Sequence, residues 1–197
     1  MRTNASVLRH VPNGISVARI VATPILVLLA LNHREDAFRW LLLAALISDI
    51  CDGLIARSFS LTSELGSRLD TLADTLLWVA VVIGIWKFHP ALVTDYGFVL
   101  ALVIGFWVAE HLIALLRYGR LTSFHTYLIR VSAYALGIFI MSLFLWGMRP
   151  WFFYLASGLS ILGAIEELII IALLPEWTAN VRGLYWVLQR RKNALAQ

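Results

Sequence analysis

Asp49-Ile50-Cys51-Asp52-Gly53-Leu54-Ile55-Ala56-Arg57 and Gly66-Ser67-Arg68-Leu69-Asp70-Thr71-Leu72-Ala73-Asp74 place four carboxylates within 26 residues of a chain that is otherwise strongly apolar. An ionised Asp in the hydrocarbon of a bilayer costs several kcal/mol on insertion scales, so such residues mark bound cations or a water-filled cavity. The spacing is D-x2-D-G-x2-A-R-x8-G-x3-D-x3-D. On a helix that turns 100° per residue, Asp49, Asp52, Gly53 and Ala56 fall within roughly a 100° arc, with Arg57 at its edge. Gly66, Asp70 and Asp74, spaced i, i+4, i+8, spread over about 80° of the next helix. If Arg57 and Gly66 both sit near one membrane face, the helical rise puts Asp52 and Asp70 about 6 to 8 Å inside and Asp49 and Asp74 about 12 Å inside. The acids then form two level pairs across an antiparallel helix pair, a box of hard oxygen donors suited to Mg²⁺ or Mn²⁺. Two such ions would balance four carboxylates.

The surrounding chain reads as a bundle of membrane spans. Sixty per cent of its 197 residues are hydrophobic, 14% are charged, and the mean hydropathy is +0.81, values of a polytopic membrane protein rather than a soluble one. Apolar runs over 14–32, 38–57, 67–87, 94–117, 126–148 and 151–174 each approach the ~20 residues that cross a bilayer, predicting six transmembrane helices in an all-α fold. The second is atypical because its latter half is the acidic stretch. Pro12, Pro90, Pro150 and Pro175 fall at proposed ends, and Pro24 is expected to bend the first span. Trp40, Trp86, Trp151 and Trp177 sit near proposed interfaces, as belt residues do.

Lys and Arg set the orientation. With six crossings, 12 of the 16 basic residues lie on the side of both termini and the acidic stretch, and only Arg34, Arg39, Lys87 and Arg149 lie opposite. Positive charge stays inside, so the termini and the acids are expected on the cytoplasmic side. The tail Arg190-Arg191-Lys192 reads as attraction to anionic membrane lipids, and no nucleic-acid-binding motif accompanies it. Residues 1–10 suggest a short interfacial helix. The long first apolar run, followed by further spans, reads as a membrane span rather than a cleaved leader. A single cysteine, Cys51, excludes an internal disulfide. No repeat, linker or low-complexity tract interrupts the chain, so 1–197 is expected to be one domain; a homodimer is left open.

The acidic spacing, filled at every fixed position, resembles the signature of the CDP-alcohol phosphotransferase (CDP-alcohol phosphatidyltransferase) family. Pro12-Asn13-Gly14-Ile15-Ser16 followed by Arg19 is similar to the start of its members. The resemblance implies transfer of a substituted phosphate from a CDP-linked donor to a hydroxyl acceptor, with release of CMP and with divalent metal. Carried over by position, Asp49, Asp52, Asp70 and Asp74 are metal ligands and Asp74 is also the catalytic base. Asp49, Gly53, Ala56, Arg57 and Gly66 hold the CDP donor, where the small residues admit the nucleotide and Arg57 offers a fork of donors to phosphate.

The acceptor is less sharply written. Arg117, Arg120 and Arg130 flank the polar stretch 121–127, and Arg grips phosphate bidentately, which favours a phosphorylated alcohol such as glycerol 3-phosphate or inositol phosphate. Positive-inside charge explains the same residues almost as well. The leading reading is a phospholipid-synthesising phosphatidyltransferase acting on CDP-diacylglycerol. An aminoalcohol phosphotransferase acting on diacylglycerol is the alternative, and a membrane metal transporter is a third reading. Glu110 and His111 inside the fourth span, and His125 beside it, have no catalytic role in this reading. Glu166 and Glu167 fall in the outer half of the sixth span or near mid-membrane, without an assigned role.

Overall fold

The computed structural model describes residues 3–58, 64–119, 126–178 and 181–195; within these, the side chains of 3–13, 49–58, 64, 65, 67, 68, 191, 194 and 195 lie outside the description. The described residues form seven helices and no strand: α1 (Thr3–Leu31), α2 (Glu35–Ser58), α3 (Glu64–Phe88), α4 (Pro90–Tyr118), α5 (Tyr127–Trp146), α6 (Pro150–Leu173) and α7 (Leu184–Leu195). Among the described residues, five stretches are long and apolar enough to cross a membrane: Gly14–Leu31, Leu69–Phe88, Pro90–Tyr118, Tyr127–Trp146 and Pro150–Leu173. Helix α2, whose latter half carries the acids, is not among them, although it runs unbroken for 24 residues.

Two local expectations are corrected. The N-terminal segment is not a separate helix: α1 continues from Thr3 through both Pro12 and Pro24 to Leu31. A proline deep in a helix removes one hydrogen bond without ending it where neighbouring helices hold the segment. A seventh helix follows α6. Its signal is short and charged, so the basic tail read as an isolated lipid contact is the last part of α7. Pro90 and Pro150 do open α4 and α6, where a missing N–H costs nothing.

At Tyr96, φ −123° and ψ 15° interrupt the helical geometry of α4. The chain divides at this point into two compact units, Met1–Asp95 and Tyr96–Gln197. In the first, α1 packs against both α2 and α3. One stripe of α1 is buried, Ser16, Arg19, Thr23, Leu26 and Ala30, spaced three and four apart, while Val17, Val21, Ile25 and Leu28 on other faces are exposed. Apolar residues outside and polar ones inside are the pattern of a helix whose solvent is lipid. The stripe is polar toward the start of α1 and apolar toward its end.

Helices α2 and α3 are pinned at the opposite end from the acids. Phe38 is fully buried, and its ring fills the notch left by Gly84: a Cβ built on Gly84 would lie 2.3 Å from Phe38 Cζ. The Phe38 ring also packs on Phe88, with centroids 5.3 Å apart. In the second unit, α5 packs on α6, and Gly163 brings the two together, since a Cβ there would meet Ile129 at 3.2 Å and Ser132 Oγ at 3.3 Å. Small residues at such crossings let membrane helices approach closely. Ala114 of α4, Ile170 and Ile171 of α6 and Val187 of α7 form a further buried cluster.

Gly84→Ala should lower thermal stability in detergent by about 1 to 3 kcal/mol, because overpacking forces the Phe38 ring to move. Phe38→Leu added to Gly84→Ala should recover part of that loss, and thermal unfolding of the single and double variants measures it.

Candidate functional site

Two of the four acids have described side chains, and a cation from α1 joins them. Asp70 and Asp74 lie one turn apart on α3. Arg19 Nη2 donates to Asp70 Oδ1 at 2.6 Å and Arg19 Nη1 donates to Asp74 Oδ1 at 2.7 Å. The arginine side chain is 2% exposed, whereas the aspartates are 42% and 41% exposed. The fork therefore closes the protein side of the pair and leaves the carboxylates reachable. Such charge-assisted bonds are short and directional, and Arg suits them because its planar group presents several N–H at once. Thr23 Oγ1 donates back to the Arg19 carbonyl at 3.0 Å.

The register of α2 against α3 follows from the Phe38 and Gly84 contact. Asp52 lies fourteen residues after Phe38 and Asp70 fourteen before Gly84; Asp49 lies eleven after and Asp74 ten before. Along straight helices rising 1.5 Å per residue, fourteen residues correspond to about 21 Å and ten to eleven to about 15 to 16 Å, the spacing that the expectation of two level pairs requires. The side chains of Asp49, Asp52, Ala56 and Arg57, and the surroundings of Gly53, lie outside the described residues. Gly66 sits in the first turn of α3, half-buried, one turn before Asp70.

Among the described residues no three His, Cys, Asp or Glu side chains converge as a metal site. What is described fits a hard divalent cation: the donors of Asp70 and Asp74 are carboxylate oxygens, and both side chains are partly exposed.

The arginines expected at the acceptor site separate in character. Arg117, in the last turn of α4, donates to the Leu174 carbonyl at 3.1 Å, and the Tyr118 hydroxyl lies 3.0 and 2.9 Å from the Ile171 and Leu174 carbonyls. These bonds cap the C-terminus of α6, where exposed carbonyls attract positive charge. Arg130, near the start of α5, is half-buried beside the Tyr127 ring. Arg120 and His125 lie outside the described residues. His111 Nδ1 lies 2.9 Å from the Trp107 carbonyl and 3.4 Å from Glu110 Oε1, and Glu110 is buried.

Glu166, which had no role from sequence, has two partners. Its carboxylate accepts from Thr126 Oγ1 at 2.8 Å and from the Leu184 backbone N–H at 2.9 Å. Thr126 also caps α5 by accepting from Ile129 N at 3.2 Å. Glu166 thus joins the starts of α5 and α7, at the end of α6 that follows the α4–α5 connection rather than the far half. A Cβ on Gly183 would come within 3.1 Å of Glu166 Oε1, at a φ of +156°. Arg19 was missed as a site residue too; the visible signal is a charge on the buried 16-19-23-26-30 stripe of a membrane span.

An ion-paired acidic site set between helices of this length and apolarity defines a helical membrane protein with charged chemistry inside its bundle. The profile of the family described as CDP-alcohol phosphatidyltransferase matches residues 9–165. The chain belongs to that family. The matched region contains Arg19, the four acids and Arg117, Arg120 and Arg130, and it stops before Glu166 and α7. The CDP-diacylglycerol--glycerol-3-phosphate 3-phosphatidyltransferase of Rickettsia typhi is 34% identical over 83 residues, 41% of this chain and 47% of the relative. The protein of the same name from Rickettsia bellii is 36% identical over 81 residues, 40% of this chain and 45% of the relative. The CDP-diacylglycerol--inositol 3-phosphatidyltransferase of Saccharomyces cerevisiae is 33% identical over 72 residues, 36% of this chain and 32% of the relative. Each match thus covers half or less of the curated relative's length. No solved structure matches the chain.

Glu166→Ala should loosen α7 by removing acceptors from both Thr126 and Leu184. Trypsin cleavage within 190–192 should accelerate several-fold relative to wild type, followed by mass spectrometry, with Thr126→Val giving a smaller effect since only one of the two bonds is lost.

Proposed function

We propose that this chain is a metal-dependent phosphatidyltransferase of phospholipid synthesis, which moves the phosphatidyl group of CDP-diacylglycerol to a hydroxyl of a small polar alcohol and releases CMP. The observation that carries the proposal is the complete acidic motif within the matched region, with Asp70 and Asp74 held side by side and open on α3. The acceptor we favour is glycerol 3-phosphate, the alcohol named in the Rickettsia relatives. An inositol compound comes next, from the yeast relative. Arg120 and Arg130 are the acceptor residues we retain first; Arg117 is engaged in capping α6.

In this reading the chain forms six spans, α2 being the atypical one, with both termini and the acids at the cytoplasmic face, and 1–197 is one domain. Membrane lipids surround the apolar faces, and anionic lipid meets the basic end of α7. Asp49, Asp52, Asp70 and Asp74 hold one or two Mg²⁺ or Mn²⁺ ions. When bound, these supply positive charge to the pyrophosphate. Gly53, Ala56 and Gly66 leave room for cytidine and phosphate, and Arg57 donates to a phosphate oxygen. Asp74 takes the proton of the acceptor hydroxyl as its oxygen forms a bond to the phosphatidyl phosphorus; the bond from that phosphorus to the CMP oxygen breaks, and CMP leaves with the electron pair.

Purified protein in detergent or liposomes should release CMP only with CDP-diacylglycerol, an acceptor and added Mg²⁺ or Mn²⁺. A panel of glycerol 3-phosphate, inositol phosphate, inositol, serine and diacylglycerol identifies the acceptor, and full turnover after exhaustive chelation would exclude the metal role. Turnover with diacylglycerol and CDP-choline in place of CDP-diacylglycerol would instead favour an aminoalcohol transferase.

Asp74→Asn should reduce turnover by about 10² to 10⁴, the usual contribution of a positioned base, while donor binding persists. Near-normal rates in a folded Asp74→Asn protein would remove Asp74 from the base role.

A further inference from the structure

Arg19 stands on a different helix from the acids and belongs to no part of the motif that carries them. Its side chain is nevertheless among the largest fully buried ones, and both of its terminal nitrogens are committed to Asp70 and Asp74, at 2.6 and 2.7 Å. A buried guanidinium is tolerated only when paired with good geometry, and two carboxylates brought together need positive charge between them. Arg19 meets both requirements at once. The oxygens it takes, one Oδ1 on each aspartate, are the kind of ligand a hard divalent cation requires.

We propose that Arg19 is the resident counter-ion of the acidic pair: a positioning residue that holds Asp70 and Asp74 in the metal-free chain and competes with a divalent cation for their oxygens. The inference rests on the reading of these aspartates as metal ligands. A positive charge at hydrogen-bond distance from the ligands opposes a second cation at the same place, and the opposition is strong because Arg19 lies away from water. The aspartates are about two-fifths exposed, so a cation reaches them without unfolding the bundle. The consequence is a site whose metal affinity is held down by the fold until substrate phosphates contribute oxygens of their own, as is usual for Mg²⁺ sites.

The test uses the full chain in detergent, with Mn²⁺ as the probe. Its binding is followed by electron paramagnetic resonance, and thermal unfolding is recorded in chelator and in Mn²⁺. Arg19→Gln should bind Mn²⁺ about tenfold more tightly than wild type, the change expected when a neighbouring charge is removed. It should also unfold at a lower temperature in chelator and regain stability as Mn²⁺ is added. Arg19→Lys keeps a charge without the fork, so its affinity should fall between the two. Equal or weaker Mn²⁺ binding by folded Arg19→Gln overturns the role of Arg19 while leaving the metal ligands in place. Absence of Mn²⁺ binding in wild type and variants alike removes the metal reading itself, and this inference with it. If Arg19→Gln does not fold, Arg19→Lys must still bind Mn²⁺ more tightly than wild type, and a matching affinity overturns the proposal.

Discussion

A guanidinium that is 2% exposed must find its partners inside the bundle, and this one finds them on α3. The ion pair constrains more than two side chains. To reach both aspartates, α1 must lie against α3 with its 16-19-23-26-30 stripe inward, and the same rotation sends Val17, Val21, Ile25 and Leu28 outward. In lipid there is little hydrophobic gain in bringing helices together, so a specific polar contact and close packing decide which faces meet. The unpaired alternative would leave a buried guanidinium without a counter-charge, at a cost above that of any single apolar contact in this unit.

Phe38 and Gly84 supply the complementary constraint, since an ion pair between α1 and α3 says nothing about the height of α2. A large ring seated where no Cβ exists allows little sliding, because a shift along α3 would drive the ring into a side chain. This apolar pin sets the height of α2 against α3 at one end. Rigid helices transmit that register at 1.5 Å per residue. The site is thus defined from both ends: by charge where the acids are, by shape where they are not.

Much of this was legible in the residues. The helix boundaries at Pro90 and Pro150, the apolar runs of α1 and of α3 to α6, and the spacing of Asp70 and Asp74 on one face all follow from local rules of period and proline chemistry. Arg19 was not legible as a site residue, because its partners are 51 and 55 positions away and a positive-inside count absorbs any arginine near a membrane end. The role of Glu166 was hidden for a related reason. Counting residues along a span gives depth only approximately, while its actual level is fixed by Thr126, the N-cap of another helix. Helix α7 was hidden because Leu184–Leu195 is short and charged, and its apolar face is completed by Ala114, Ile170 and Ile171 from other helices.

The depth of the acidic residues agrees with the chemistry proposed for them. A CDP-linked lipid is apolar at one end and a charged nucleotide at the other, so its phosphates rest near the boundary between headgroups and hydrocarbon. In the proposed orientation, Asp70 and Asp74, within the first few turns of α3, would lie where such phosphates can arrive without leaving the membrane. Carboxylates nearer the water would hold metal and phosphate only weakly, because attraction between charges falls steeply as the dielectric rises. Carboxylates deeper than this would be beyond a water-soluble acceptor. A position a few turns from the helix ends satisfies both limits, and Arg19 makes that position tolerable for two acids when no other cation is present.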